Sequence, residues 1–156
     1  MKKIFTFVVL ILIFFNFNNN AFSIEADVFV QSTVNRAAKT LGGGLTKEER
    51  IVKLKEIAKD TVDITGIGFY SLGKHRKNLS NEQLENYKIV FEAYFLKSFS
   101  SRLAEYTNPE IDVFDKNVLS EKYTIVNSLL KGTNERPEVK IDWRIYKPYI
   151  LQQLLN

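Results

Sequence analysis

Residues 80–106 read SNEQLENYKIVFEAYFLKSFSSRLAEY, and this stretch predicts one long helix around which the rest of the chain is organised. Ser80 and Gln83 have the spacing of a capping box, in which each side chain accepts a hydrogen bond from the other residue's backbone N–H at a helix start. Apolar side chains then recur so that they share one stripe of the helix. The stripe consists of Leu84, Tyr87, Phe91, Tyr94, Phe95, Phe99 and Tyr106.

A second apolar group, Ile89, Ala93 and Leu96, lies at least about 90° around the helix from Phe91. Two apolar faces predict a helix that is sandwiched between layers. The aromatic stripe has two interpretations, ordinary hydrophobic core or the wall of an apolar cavity. The pattern alone does not separate them, because both exclude water and need the same side chains.

The N-terminal segment has the three parts of a secretory signal peptide. Lys2 and Lys3 precede an apolar run from Ile4 to Phe15, and the small residues Ala21 and Ser23 occupy the −3 and −1 positions before a cleavage site that follows Ser23. Asparagines interrupt the run before it reaches the roughly 20 apolar residues that a membrane-spanning helix needs. We therefore expect residues 1–23 to be cleaved and the protein to be exported.

Composition and charge are those of an ordinary globular domain. The sequence has 156 residues, of which 45% are hydrophobic and 26% charged. Loss of the signal peptide removes two lysines and no acid, so the formal charge falls from +4 to +2 and residues 24–156 remain as one predicted domain. So small a charge argues against a nucleic-acid partner. Cysteine is absent, which excludes disulfides and thiolate metal sites.

Two shorter helices are predicted before the central one. Asp27 is the expected N-cap of the first, which ends at the glycines 42–44. Thr46 and Glu49 form a second capping box and open the next helix.

Asp63 is the expected cap of a third segment, Ile64 to Leu72, in which Gly66 and Gly68 weaken the helix but could allow close helix packing. The basic cluster at residues 74–77 is either a solvated connector or a site that touches an anionic headgroup or partner.

After Pro109 the apolar period changes from that of a helix to that of a strand. Ile111 and Val113 predict a short first strand, and residues 115–117 a turn. A second strand is predicted from Tyr123 towards Leu130 and a third from Val139 to Tyr146. Val139, Ile141, Trp143 and Ile145 share one face of the third strand, opposite Lys140, Asp142, Arg144 and Tyr146.

An antiparallel sheet with one apolar face has to be covered, and the upstream helices are the available cover. The predicted fold class is therefore α+β, with N-terminal helices, one of them long and central, packed on a small antiparallel sheet. Pro148 ends the third strand, and the apolar tail that follows suits a turn or two of helix.

Residues with catalytic or metal-binding potential are few. His75 is the single histidine, and it stands among three basic residues. A Cys/His pair and a histidine-rich metal site are therefore excluded. Gly42 to Gly44 does not follow a strand, so it predicts a linker rather than a phosphate-binding loop. No catalytic residue, metal or cofactor is predicted, and binding is the remaining class of function.

The order of these elements and several short motifs resemble the MlaC family of periplasmic phospholipid-binding proteins, also called the toluene-tolerance family. The similarity runs over most of residues 28–147. The matching pieces are residues 30–33 (VQST), 62–64 (VDI), 72–74 (LGK), 79–83 (LSNEQ), 103–106 (LAEY) and 141–145 (IDWRI).

The resemblance implies an NTF2-like cone in which a cavity between sheet and helices holds phospholipid acyl chains. It also implies transport of that lipid between the two membranes, in the maintenance of outer-membrane asymmetry. The implied partners are an inner-membrane Mla transporter complex and an outer-membrane MlaA-porin complex. On facing and family analogy, the expected cavity walls are Val34, Leu54, Ile57, Phe69, Phe91, Phe95, Phe99, Val113, Ile125, Ile141 and Trp143.

Two features depart from the family pattern. His75 and Arg76 stand where the family usually has an aromatic residue. The family pattern also continues beyond the Trp143 strand, so we expect the final strand and helix to be missing from a truncated C-terminus. Two alternatives to a carrier follow: an exported remnant that no longer functions, and an NTF2-like small-molecule enzyme. The enzyme would need an acid or base directed into the cavity, and the apolar positions of the third strand carry none.

Overall fold

The structure is a computed structural model that describes residues 25–148. The predicted signal peptide, residues 1–23, and the tail at residues 149–156 lie outside the described residues. Helices come first and strands follow, which confirms the predicted α+β class. In chain order the elements are α1 (Ala26–Gly42), α2 (Lys47–Thr61), α3 (Ile64–Leu72), a 3-10 helix (Gly73–Asn78), α4 (Asn81–Leu103), β1 (Ile111–Val118), β2 (Tyr123–Leu130) and β3 (Val139–Tyr146).

Both predicted capping boxes are present. The Thr46 hydroxyl accepts from the Glu49 backbone N–H at 3.2 Å, and the Glu49 carboxylate accepts from the Thr46 N–H at 2.9 Å. At the start of α4, the Ser80 hydroxyl accepts from the Gln83 N–H at 3.2 Å, and the Gln83 side chain accepts in return at 2.8 Å. Each box satisfies backbone groups that have no partner within the helix.

Two predicted helix ends are wrong. The N-cap of α1 is Glu25, which makes no side-chain capping bond. Asp27 lies in the first turn instead, where its carboxylate accepts a hydrogen bond from Lys116 Nζ at 2.9 Å. The positive end of the helix dipole also stabilises the negative charge of this carboxylate. The long helix ends at Leu103 rather than Tyr106. The chain then turns through Asn108, which has a positive φ of 48°.

The sheet is an antiparallel meander in the order β1-β2-β3. In β2 every second residue is buried, so Thr124, Val126, Ser128 and Leu130 form its inner face. Residues directly opposite one another on neighbouring strands share a face. The ladder pairs these four with Ile145, Trp143, Ile141 and Val139 of β3, so the predicted apolar face of β3 faces inward.

The prediction that residues 115–117 form a turn is wrong, because β1 continues through them to Val118. The ladder advances from Val113 opposite Ser128 to Asp115 opposite Asn127, and Phe114 is the extra residue of a β-bulge. Beyond the bulge, Lys116 lies opposite the inward residue Val126. The bulge thereby turns Lys116 to the helix side of the sheet.

The apolar core consists of three clusters of buried residues. The first joins Val30 and Val34 of α1 to Val126 and Ile145 of the sheet. A second is formed by Leu41, Leu54 and Ala104 at the ends of α1 and α4 and the middle of α2. The third is formed by Ala58, Ile64 and Leu96, where α2, α3 and α4 meet. The sheet thus packs mainly against α1, and α4 packs mainly on α2 and α3.

Candidate functional site

Four aromatic rings form a continuous row along α4. Tyr87, Phe91, Phe95 and Phe99 stand four residues apart, and adjacent ring centroids lie 5.6, 6.2 and 5.5 Å from one another. These separations are in the range preferred by offset-stacked aromatic pairs. All four side chains are half-buried. The row is thus an apolar surface that the described part of the chain covers only in part.

The inner side of the row rests on the third core cluster, which includes the buried Leu96. Of the second predicted apolar face of α4, only Leu96 is buried, and it packs in the same core cluster as Phe91, Phe95 and Phe99. Ile89 is 70% exposed, and Ala93 is exposed as well. Both stand nearer the start of α4 than Leu96. Their burial was predicted from helical position alone, which does not specify how far along a helix a neighbouring element extends.

A second partly covered apolar surface lies on the inner face of the sheet. Ile111, Val113 and Trp143 are half-buried beside the first core cluster, and Ile141, opposite the inward Ser128, is half-buried as well. The Trp143 indole N–H donates to the Ser128 hydroxyl at 2.8 Å across the strand pair. That bond satisfies the polar group of the indole and fixes its orientation. Ser128 was not predicted from the sequence, because a serine in a strand carries no signal of its partner.

One end of α4 is connected to the sheet. The Arg136 guanidinium, in the loop between β2 and β3, lies 4.5 Å from the ring centroid of Tyr106, just beyond the end of α4. Contact between α4 itself and the strands is otherwise slight, because α1 occupies most of the inner face. The aromatic row and the Trp143 surface are therefore separate apolar surfaces, with the loop and the C-terminal end of α4 joining them at one side.

The structure separates the residues predicted to line one cavity into three groups. Val34, Leu54 and Ile57 are buried, the first two of them within core clusters. Ile125 lies opposite Arg144 on the outer face of the sheet, so its grouping with Ile141 and Trp143 is wrong. Side chains alternate along a strand, and Val126 occupies the inward position beside it. The remaining predicted wall residues are half-buried: Phe69, Phe91, Phe95, Phe99, Val113, Ile141 and Trp143.

Glycine in α3 allows this helix to lie close to the aromatic row. A Cβ at Gly68 would stand 2.8 Å from the Phe91 ring. The Tyr87 hydroxyl lies 2.9 Å from the Ser71 hydroxyl and donates to the Gly68 carbonyl at 3.2 Å. These contacts place α3 against the N-terminal half of the row. The predicted role of Gly68 in close helix packing is therefore confirmed.

Phe69 in α3 is covered on one side by a cation. The Arg76 guanidinium lies 4.1 Å from its ring centroid, within the range of a cation–π contact. Arg76 belongs to the predicted basic cluster, which forms the 3-10 helix that immediately precedes α4. The side chains of residues 74–77 are exposed. Positive charge therefore stands beside the N-terminal end of the aromatic row.

Two clefts open on the helical part of the described surface. One of about 270 Å³ lies beside Ile64 and Glu92, and one of about 470 Å³ beside Arg36, Leu45 and Ile57. Neither is lined by an aromatic residue of the row. Within residues 25–148 no group of acids and histidine is arranged to hold a metal ion, and no helix is both long and apolar enough to cross a bilayer.

The comparisons with known proteins agree with this architecture. A phospholipid-binding protein from Ralstonia solanacearum, solved in complex with a phospholipid, has a similar fold, with a TM-score of 0.65 and 16% sequence identity over 80% of this chain and 72% of that chain. No curated protein sequence matches this chain significantly. A model of the family described as MlaC protein matches residues 30–151. That match covers most of the sequence, and the chain therefore belongs to the MlaC family.

Proposed function

We propose that this protein binds phospholipid and carries it through the periplasm. The observation that supports this most directly is the half-buried aromatic row of α4. A row of stacked rings in a closed core would be covered on all sides, whereas here each ring keeps exposed surface. The family and the phospholipid in the Ralstonia solanacearum protein support the same chemistry. The cargo is a lipid and no cofactor is required.

The length of the row suits an acyl chain. Tyr87 and Phe99 are three ring spacings apart, and at 1.5 Å per residue the row extends about 18 Å along the helix. Half the hydrocarbon thickness of a bilayer is about 15 Å. An acyl chain laid along the row would thus contact aromatic surface over most of its length. The Trp143 surface is the proposed second wall.

Burial of the lipid acyl chains supplies the free energy by which such a carrier would bind its cargo. Each methylene left in water costs about 0.8 kcal/mol, so two long chains cost on the order of 20 kcal/mol to expose. An apolar surface that covers them removes most of this cost. Bilayer and binding site are then similar environments, and net transfer between them is close to neutral. Direction would come from partner proteins, which we propose to be an inner-membrane Mla complex and an outer-membrane MlaA-porin complex.

The proposal is tested by mass spectrometry of lipids extracted from the purified protein. Phe95→Glu introduces a charge into the middle of the row and should lower the phospholipid recovered at least ten-fold. Tyr94→Glu is the matched control, since Tyr94 is the neighbouring residue on the same helix and is 67% exposed. This control should retain its lipid, and both variants should retain the helical circular dichroism signal.

Two results would contradict the proposal. One is a wild-type protein from which no phospholipid is extracted and which takes up none from vesicles. The other is equal lipid content in Phe95→Glu and the wild type. Unfolding of Phe95→Glu would assign Phe95 to the core instead, and non-cooperative thermal unfolding of the wild type would favour an exported remnant.

A further inference from the structure

The cations of the basic 3-10 helix are grouped here with two exposed apolar residues of α3, the helix that it follows, as the basic face, which we define by Ile67, Tyr70, Lys74, Arg76 and Lys77. We propose that the basic face docks on the surface of an anionic phospholipid bilayer. The inference rests on the proposed function in one respect, that a lipid carrier has to reach a membrane. Membrane docking and lipid loading are nevertheless measured separately.

The charge on this surface is unbalanced. Between Asp63 and Glu82 the sequence contains no acidic residue, and Lys74, His75, Arg76 and Lys77 follow one another directly. None of the eight ion pairs in the described part of the chain involves these four side chains. By contrast, Lys116 binds both Glu25 and Asp27. The basic face therefore presents cations that have no carboxylate partner in residues 25–148.

The apolar part of the basic face has the composition of a membrane interface. Tyr70 is 81% exposed and Ile67 42% exposed. They stand three residues apart and are neighbours on the surface of α3. Tyrosine is enriched at the headgroup level of membranes, because its ring is apolar and its hydroxyl polar. A tyrosine and an isoleucine beside a run of cations can make both apolar contacts with the membrane interface and ionic contacts with anionic headgroups.

The position of the basic face suits the transfer of a lipid. The 3-10 helix leads directly into α4, and Gly68 of α3 lies against the Phe91 ring. Arg76 packs the 3-10 helix against α3 by lying over the Phe69 ring. Docking of this surface would bring the N-terminal end of the aromatic row to the bilayer, with lipid phosphates beside the cations.

Flotation with phospholipid vesicles tests the docking surface. The purified protein should float with vesicles of phosphatidylcholine and phosphatidylglycerol and should not float with phosphatidylcholine alone. A basic residue near an anionic membrane contributes about five-fold to partitioning, so Lys74→Gln, Arg76→Gln and Lys77→Gln together should lower it about 100-fold. Raised salt should weaken wild-type binding, because these charges are exposed and therefore screened.

A control variant with three lysines replaced elsewhere loses the same net charge as the basic-face variant. Lys39, Lys97 and Lys140 are exposed, form no ion pair within residues 25–148 and lie on other elements. Their replacement by glutamine should lower partitioning far less than loss of the basic face. Tyr70→Ser should weaken binding several-fold at every salt concentration, since its contact is not ionic.

Three results would overturn the docking proposal: equal losses in the two triple variants, full binding after loss of the basic face, or equal flotation with neutral and anionic vesicles. These results are distinguishable from failure of the carrier proposal. A wild type that floats with anionic vesicles but yields no lipid on extraction would contradict the carrier proposal alone, whereas one that yields lipid but does not float would contradict the docking proposal alone.

Discussion

Gly68 of α3 approaches Phe91 of α4 so closely that an added Cβ would lie 2.8 Å from its ring. Gly68→Ala should therefore lower the free energy of unfolding by about 1–3 kcal/mol, because the Phe91 ring and α3 have to move apart. Thermal unfolding followed by circular dichroism measures the change. Thr65→Ala, at an exposed position of the same helix, should leave stability nearly unchanged. Equal stability of Gly68→Ala and the wild type would show that the two helices separate at no cost.

Thr124 has a buried hydroxyl that finds no hydrogen-bond partner in residues 25–148. Thr124→Val replaces this hydroxyl with a methyl group of similar size and removes the cost of an unsatisfied polar group. The expected result is a gain of about 1 kcal/mol in the free energy of unfolding, measured by urea denaturation. The Thr40 hydroxyl, in contrast, donates to the Arg36 carbonyl at 3.0 Å, so Thr40→Val should give no gain. A loss of stability in Thr124→Val would mean that the hydroxyl is satisfied in solution.

The ion pair between Lys116 and Asp27 makes stability depend on pH. The hydrogen bond from Lys116 lowers the pKa of Asp27 below its ordinary value of 3.8. A carboxylate with a lowered pKa stabilises the fold above its unfolded-state pKa, and the contribution disappears as the pH falls through the folded-state value. Asp27→Asn should therefore be less stable than the wild type at neutral pH, and the difference should close as the pH falls through the lowered pKa of Asp27.

Chemical denaturation at several pH values measures this difference. Glu48→Gln is the control, since Glu48 is also an acid in the first turn of a helix but has no ion-pair partner among the described residues. Its stability should follow the wild type more closely than that of Asp27→Asn. A difference for Asp27→Asn that persists unchanged into strong acid would contradict the role given to the ion pair.

Trp143 is the single tryptophan of the sequence and therefore a specific fluorescent reporter. Ser128→Ala removes the acceptor of its indole N–H, which should cost about 1 kcal/mol of stability and allow the ring to turn towards water. The emission maximum should then move to longer wavelength, whereas Ser101→Ala on α4 should leave it unchanged. Addition of phospholipid vesicles to delipidated wild-type protein should shift the emission to shorter wavelength if Trp143 lines the lipid site.

The sequence predicted elements well where the signal is local. The Thr46 and Ser80 capping boxes depend on side chains three residues apart, and both are formed. The errors concern residues whose position depends on distant neighbours. Asp27 was wrongly predicted as a cap, since no residue near it in the sequence indicates its partner Lys116. Ile89 was wrongly predicted to be buried, since the helical period does not indicate where a packing partner ends.

In the candidate site too, features set by local sequence were predicted and features set by distant neighbours were not. The spacing of Phe91, Phe95 and Phe99 predicted that they share a side of α4, and their rings do form a row. Which strand face meets the helices depends on the ladder, so Ile125 was grouped with the wrong residues. Partial exposure of the rings also depends on where α1 and the sheet lie, which no local pattern encodes.

The bulge at Phe114 has a consequence for insertions and deletions in β1. Phe114 is 63% exposed, and its neighbours Val113 and Asp115 face the consecutive residues Ser128 and Asn127 of β2. Deleting this one residue would leave a regular strand in which every other pair, including the inward Lys116, is retained. Deletion of Asp112 would instead place Val113 opposite Leu129, on the outer face of the sheet, if both ends of the strand keep their register. Residue 114 is therefore a position at which β1 can be shortened by one residue while Val113 and Lys116 both stay on the helix side of the sheet.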